Sequence, residues 1–135
     1  MPSLVRGRAT AMQLMFTACN TACPIEGAIF ERVQQLIPDG PARGIQLLSL
    51  SVDPARDHAE ALRQWLRRFH AGPGWITAAP RPGDAERLRQ LARARSNPAD
   101  NHSTQVHLIN RRGELVFRTF ELPEPDEVAA ILRKM

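Results

Sequence analysis

The residues of this sequence that most directly indicate chemistry are two cysteines, Cys19 and Cys23. They are the only cysteines of the 135-residue chain, and they lie in the segment FTACNTACP. Two thiols at this spacing can form a local disulfide, exchange disulfides with a partner or bind a soft metal ion. A purely structural disulfide is disfavoured because so short a loop restricts the unfolded chain little. Structural zinc is disfavoured because it typically needs four protein ligands.

The chain also has four histidines, and a neutral imidazole is a common partner of thiolates in metal sites. His58, His70 and His107 lie in no recognisable metal-binding motif, and we predict structural roles for them. His102 lies in the polar loop SNPADNHS. A lone histidine is more often a surface or core residue than a ligand, so residue type alone does not select one of the four.

The elements that must position these residues follow an α/β pattern. Short apolar runs alternate with segments of helical periodicity, and two final β-rich runs flank a glycine turn. The order predicts a mixed sheet with parallel central strands, an antiparallel C-terminal hairpin and flanking helices, in one domain over residues 1–135. The predicted strands are 11–17, 45–52, 75–78, 104–110 and 114–120, and the predicted helices are 24–37, 59–69, 84–95 and 123–135.

The cysteines fall at the junction between the first strand and the first helix, as in thioredoxin-like proteins. Cys23 directly precedes Pro24, which suits the first turn of a helix. Unpaired N–H groups and the helix dipole stabilise a thiolate there. The spacing is one residue longer than the usual redox Cys-x-x-Cys pair. That leaves more room for a metal ion without forbidding a disulfide.

Composition narrows the possible functions. The chain is 43% hydrophobic and 24% charged, as in a globular protein, and has a net charge of +4 with Lys134 as its only lysine. The arginines are spread along the chain without an aromatic stacking motif, which disfavours nucleic-acid binding and leaves docking to an acidic protein open. No apolar stretch reaches the ~20 residues of a membrane span. The start of the chain is predicted to be a strand, so any leader or membrane anchor would lie outside this chain.

Three stretches resemble the Sco/SenC family of thioredoxin-like copper proteins. FTACNTACP is similar to that family's Phe-x-x-x-Cys-x-x-x-Cys-Pro segment, LLSLSVDPARDHAEAL to its strand and Asp-Pro-x-Arg-Asp turn, and ADNHSTQVHLINRRGELV to its histidine loop and final hairpin. They follow one another in family order across residues 16–116. The N-terminal hairpin that family members usually carry is short or missing here.

The resemblance implies a copper metallochaperone for the dinuclear copper site of cytochrome c oxidase. It implies that Cys19, Cys23 and His102 bind copper as Cu(I) or Cu(II). The implied partner is the oxidase subunit carrying that site, or another copper chaperone. The implied location is the periplasm, or the inner membrane through an anchor on its periplasmic side. A monomer is expected.

Two residues depart from the family pattern, and other functions stay open. Asn20 and Asn101 stand where family members commonly have proline and aspartate, although Asp100 is one position earlier. The main alternative is a thiol–disulfide oxidoreductase in which Cys19 attacks and Cys23 resolves. A redox or copper sensor without transfer activity is a third.

Several other residues are given structural roles. Asp53, Arg56 and Asp57 form the turn DPARD, in which we predict Asp57 to cap the following helix, with partner docking as the alternative. Met12 and Met15 are predicted to pack in the core rather than to bind metal. Trp65 is predicted to lie on the buried face of an amphipathic helix.

Overall fold

The structure is a computed structural model, and it describes residues 2–17, 22–81, 83–84, 86–87, 105–119 and 122–135. Its elements follow one another in a β/α order that ends in a hairpin and a helix. They are α1 (Pro2–Val5), β1 (Ala9–Met15), α2 (Ala22–Leu36), a 3-10 turn (Pro41–Arg43), β2 (Ile45–Ser51), α3 (Ala59–Arg68), β3 (Trp75–Ala78), β4 (Val106–Ile109), β5 (Leu115–Arg118) and α4 (Pro125–Lys134).

The strands form one mixed sheet in the order β3-β2-β1-β4-β5. Strand β1 is central and pairs in parallel with β2, which pairs in parallel with β3. Strands β4 and β5 form the antiparallel hairpin, and β4 runs antiparallel to β1. The predicted α/β class, with parallel core strands and a C-terminal hairpin, is therefore confirmed. Within the described part of the chain, no helix is long and apolar enough to cross a membrane.

The main core lies between one face of the sheet and helices α2, α3 and α4. Ala11, Leu47 and Leu108 project from neighbouring strands into it and are almost fully buried. Helix α3 contributes Trp65, and Phe69 just after it stacks against Trp75 with ring centroids 6.3 Å apart. Smaller apolar clusters occupy the opposite face, around Leu14 and Leu50 and around Val5, Leu48 and Ile109.

The observed ends of β1 differ from the predicted ones because of polar residues. One of these residues belongs to the strand and another lies beyond its end. Strand β1 begins at Ala9 rather than residue 11, because Thr10 is fully buried and pairs with Gln46 of β2. It ends at Met15 rather than residue 17, because Thr17 makes a tertiary hydrogen bond instead. The start of the chain, predicted as strand, contains the short helix α1, and the 3-10 turn was not predicted. The predicted helix 84–95 lies largely outside the described residues.

Candidate functional site

The carboxyl ends of β1 and β2 are joined by a buried carboxylate. Asp57, between β2 and α3, is only 2% exposed. Its carboxylate accepts hydrogen bonds from the Thr17 backbone N–H at 3.1 and 3.2 Å and from the Thr17 hydroxyl at 2.5 Å. It also accepts one from the Ser51 hydroxyl at 2.7 Å. Asp57 thus fixes the chain at Thr17, two residues before Cys19.

The same carboxylate corrects one prediction. Asp57 does not cap α3: the N-cap is His58, and it makes no side-chain capping bond. The Asp57 carboxylate instead accepts hydrogen bonds from Thr17, just after β1, and from Ser51, the last residue of β2. Asp53 contributes through its backbone, because its N–H donates to Ser51 Oγ at 3.0 Å. The Arg56 side chain is 78% exposed and lies 3.9 Å from the Asp53 carboxylate, so it belongs to the surface.

The structure places one of the predicted ligands only by its backbone. Cys23 lies in the first turn of α2, which begins at Ala22. Pro24 is in the same turn, where its missing N–H costs no helical hydrogen bond. Cys19 and His102 lie outside the described residues, as do Asn20 and Asn101. Their geometry, and the coordination of copper by Cys19, Cys23 and His102, stay predictions.

Sequence reasoning missed a buried acid on α2. Glu26 is 2% exposed and lies three residues after Cys23. It shares the buried face of the helix with Phe30 and Val33, which are fully buried. The sequence does contain the pattern that predicts this burial, because a glutamate at helical spacing from apolar residues lies on the same helix face as they do. Ile25, beside Pro24, is by contrast 52% exposed.

The other histidines lie on different parts of the fold, with His58 as the N-cap of α3. His107 on β4 is 8% exposed, and burial together with the Arg118 charge lowers its pKa to about 4, against an opposing hydrogen bond to the Met12 backbone. His70 is exposed and lies 3.2 Å from the Glu31 carboxylate. Among the described residues, no group of three or more histidine, cysteine, aspartate or glutamate residues could hold a metal ion. Met15 is fully buried in the main core, and Met12 packs against the smaller apolar clusters on the opposite face of the sheet, as predicted.

A polar pocket of about 220 Å³ lies beside Thr17, on the side of α3. The sequence analysis did not predict this pocket. It correctly predicted Trp65 as a core residue but did not consider the hydrogen bonding of its indole nitrogen. The indole nitrogen of Trp65 is buried and has no hydrogen-bond partner within the described part of the chain. The lining residues are Thr17, Ala61, Gln64, Trp65 and Arg68.

The fold and the cysteine placement together define a thioredoxin-like protein with a thiol pair at its first strand–helix junction. The chain belongs to the SCO1/SenC family, whose family model matches residues 2–135.

Individual relatives agree with this assignment. The chain is 30% identical over 122 residues to a Stutzerimonas stutzeri protein named as a candidate copper-binding protein, covering 82% of this chain and 57% of that protein. It spans about half the length of the curated relatives that it matches.

Solved structures show the same fold. The copper-bound ScoI of Bradyrhizobium japonicum superposes with a TM-score of 0.76 at 21% identity, over 98% of this chain and 88% of that one. BsSco, described as a Sco-family cytochrome c oxidase assembly protein with a disulfide switch, superposes with a TM-score of 0.73 at 16% identity, over 97% and 81%.

Proposed function

We propose that this protein binds one copper ion as cargo and delivers it to the dinuclear copper site of cytochrome c oxidase. The thiolates of Cys19 and Cys23 and the imidazole of His102 are the proposed ligands. The observation that carries the proposal is the start of α2 at Ala22, which sets Cys23 in a helical first turn, in a chain of the SCO1/SenC family. The names of the relatives support copper as the cargo and oxidase assembly as the process.

The proposed donor set fits the cargo chemically. Thiolate is a soft ligand suited to Cu(I), and neutral imidazole binds both oxidation states of copper. Three protein ligands leave the ion open to the ligands of a recipient, which a carrier requires. The Thr17–Asp57 hydrogen bonds support the proposal because they hold the residue from which the cysteine loop departs. A loop fixed at its start loses less conformational freedom when a metal binds.

The proposal is tested by anaerobic titration of the reduced chain with Cu(I), and separately with Cu(II), with absorption spectra recorded. We expect one copper per chain and a thiolate-to-Cu(II) charge-transfer band. Cys19→Ser, Cys23→Ser and His102→Ala should each weaken binding at least about tenfold, because each removes one of three ligands. Unchanged stoichiometry and affinity in all three variants would rule the proposal out.

A matched control separates loss of a ligand from a general effect of removing histidine. His70→Asn removes an exposed imidazole far from the cysteine loop in sequence, and asparagine tolerates the positive φ of 57° at this position. This variant should bind copper as the unmodified chain does. Equal losses in His70→Asn and His102→Ala would show that the histidine effect is not specific.

A second candidate function is thiol–disulfide exchange, favoured by the position of Cys23 in a helical first turn. A helix N-terminus promotes the thiolate that exchange requires. In that function Cys19 would attack a partner disulfide and Cys23 would resolve the mixed disulfide. His102→Ala separates the two functions: lost copper binding with retained exchange assigns the thiols both roles, whereas loss of both activities assigns the histidine to the exchange site as well.

The partner and the location follow from the same proposal. The recipient is the oxidase subunit carrying the dinuclear copper site, or another copper chaperone, and the chain acts as a monomer. The site of action is the periplasm or the periplasmic side of the inner membrane. Sedimentation of the isolated chain, and fractionation of cells that produce the protein, check these two statements.

A further inference from the structure

A group of exposed arginines lies at the end of the sheet where β1 begins, away from the cysteine loop that follows β1. Its members come from two segments, Arg6 and Arg8 just before β1 and Arg111 and Arg112 in the turn between β4 and β5. The two segments are in direct contact, because the Gly7 backbone N–H donates to the Arg111 carbonyl at 2.7 Å. We call the surface formed by these four arginines the basic end.

The positive charge of the basic end is largely uncompensated. Arg6 and Arg8 form no ion pair with any residue that the structure describes. The Arg111 guanidinium donates to backbone oxygens rather than to a side-chain carboxylate. Arg112 lies 3.8 Å from the carboxylate of Glu114, and both side chains are mostly exposed, so their attraction is weak. The basic end is therefore matched to a negatively charged partner.

Exposed apolar side chains lie next to these arginines in both segments. Leu4 of α1, two residues before Arg6, is 37% exposed. The residues of β5 that directly follow the turn are also about half exposed, and they are Leu115, Val116 and Phe117. Helix α1 and the turn pack together, since a Cβ on Gly113 would lie 3.7 Å from Val5 Cγ2. Guanidinium groups beside exposed apolar side chains are typical of surfaces that lie in a membrane interface.

We propose that the basic end docks on a membrane surface that carries anionic phospholipids. The planar guanidinium groups bind the lipid phosphates, and the neighbouring apolar side chains enter the boundary between headgroups and acyl chains. A nucleic acid would pair with the arginines but would leave Leu4, Leu115 and Val116 in contact with water.

This mode of docking orients the molecule. The basic end and the cysteine loop lie at opposite ends of β1, so docking turns the cysteine loop away from the lipid. The loop then faces the soluble domain of a partner protein. This consequence for copper delivery rests on the proposed function, whereas lipid binding does not.

The test is sedimentation of the reduced, metal-free chain with large unilamellar vesicles in low-salt buffer. The probe vesicles contain phosphatidylcholine and phosphatidylglycerol in equal amounts, and the matched vesicles contain phosphatidylcholine alone. The chain should sediment with the anionic vesicles and stay in solution with the neutral ones. Added salt should weaken the binding, because it screens the attraction between exposed charges.

Two double variants locate the surface. Arg6→Gln combined with Arg8→Gln should weaken binding to the anionic vesicles about 25-fold, since each arginine near such a surface contributes a factor of about five. Arg56→Gln combined with Arg63→Gln is the matched control. It removes the same charge from the turn before α3 and from α3 itself, and it should change binding less than about twofold.

A third variant tests the apolar contribution. Val116→Thr keeps the branched shape of the side chain and replaces one methyl group by a hydroxyl group. It should weaken binding to the anionic vesicles about fourfold, as the loss of one buried methyl group implies.

The proposal is overturned if the chain sediments with neither kind of vesicle or equally with both. It is also overturned if the two double variants bind equally, or if Val116→Thr binds as tightly as the unmodified chain. Tighter binding to a short DNA duplex or to polyglutamate than to the vesicles would assign the basic end to a nucleic acid or an acidic protein instead. A dimer in solution that dissociates in Val116→Thr would assign the apolar side chains to a second copy of the chain.

The vesicle experiment contains no copper, so its outcome is separate from that of the proposed function. If the chain binds no copper but sediments with the anionic vesicles as described, the docking surface stands and the copper proposal fails. If copper binds and the chain does not sediment, the docking surface fails alone.

Discussion

At the scale of single residues, Asp57 is the side chain that holds Thr17, the residue from which the cysteine loop departs. Its carboxylate accepts hydrogen bonds from the Thr17 N–H, the Thr17 hydroxyl and the Ser51 hydroxyl in a nearly solvent-free position. Hydrogen bonds to a charged group contribute more than neutral ones, and removing one partner leaves the others unsatisfied. The contact therefore both stabilises the fold and fixes the start of the loop.

We predict that Asp57→Asn lowers the free energy of unfolding by about 1–3 kcal/mol, because the amide replaces a charged acceptor and brings unneeded donors. Urea unfolding measures the change. Asp53→Asn is the matched control in the same turn: its carboxylate meets Arg56 only at 3.9 Å, so its loss should cost less than about 0.5 kcal/mol. Equal effects of the two substitutions would contradict the role given to Asp57.

A second prediction at the scale of single residues concerns His107. Burial lowers the pKa of its imidazole from the ordinary value of 6.5 to about 4. Between these values the unfolded chain binds a proton that the folded chain does not, so stability falls as pH drops. The contribution of His107 to the free energy of unfolding is fully present above about pH 6.5 and is lost toward pH 4. It amounts to at most about 3 kcal/mol. Unfolding titrations across this range should show the slope, and His107→Gln should reduce it. If the free energy of unfolding of His107→Gln had the same pH dependence as that of the unmodified chain, His107 would not be its source.

At the scale of elements, α2 lies close against the ring of Phe69, which follows α3, because Gly27 has no side chain. A Cβ at this position would lie 2.4 Å from the Phe69 ring. That ring is held by Trp65, with centroids 4.7 Å apart, and by Trp75. The second turn of α2, at Gly27, therefore packs against an aromatic cluster.

We predict that Gly27→Ala destabilises the fold by about 1–2 kcal/mol, because the overpacking cost exceeds the gain of up to about 1 kcal/mol in helix propensity. Urea unfolding of Gly27→Ala in the unmodified and Phe69→Leu backgrounds checks the cause. The cost should shrink in the second background, where the ring is gone. An identical cost in both would show that Phe69 is not the obstacle.

The elements also show what the sequence could specify. Helix α3 and strand β2 were predicted within one residue at each end, because their apolar periodicity is uninterrupted. Two short pieces were missed: α1, with four residues, and the 3-10 turn, with three, are too short to show a helical periodicity. The hydrogen bonds of Asp57 were mispredicted because local sequence favours an N-cap, whereas the actual donors lie 6 and 40 positions away. Tertiary pairing of this kind leaves no trace in local pattern.

At the scale of the whole molecule, the features used in the proposed function gather at one end of the sheet. The carboxyl ends of β1 and β2 and the first turn of α2 meet there, as open α/β sheets favour. At the opposite end of the sheet, Arg111, which follows β4, connects that strand to the residues just before β2. Its guanidinium donates to the backbone carbonyls of Arg43 at 2.9 Å and Gly44 at 3.4 Å. The Arg111 contacts and the proposed copper site thus lie at opposite ends of the strands.

The central claim is that folding brings one imidazole to the two thiols to form a single copper site. X-ray absorption at the copper edge of the reduced, Cu(I)-loaded chain measures this directly. We predict two sulfur scatterers and one nitrogen scatterer, with the nitrogen lost in His102→Ala and retained in His70→Asn. A shell of sulfur alone in the unmodified chain, or a nitrogen that persists in His102→Ala, would contradict the claim.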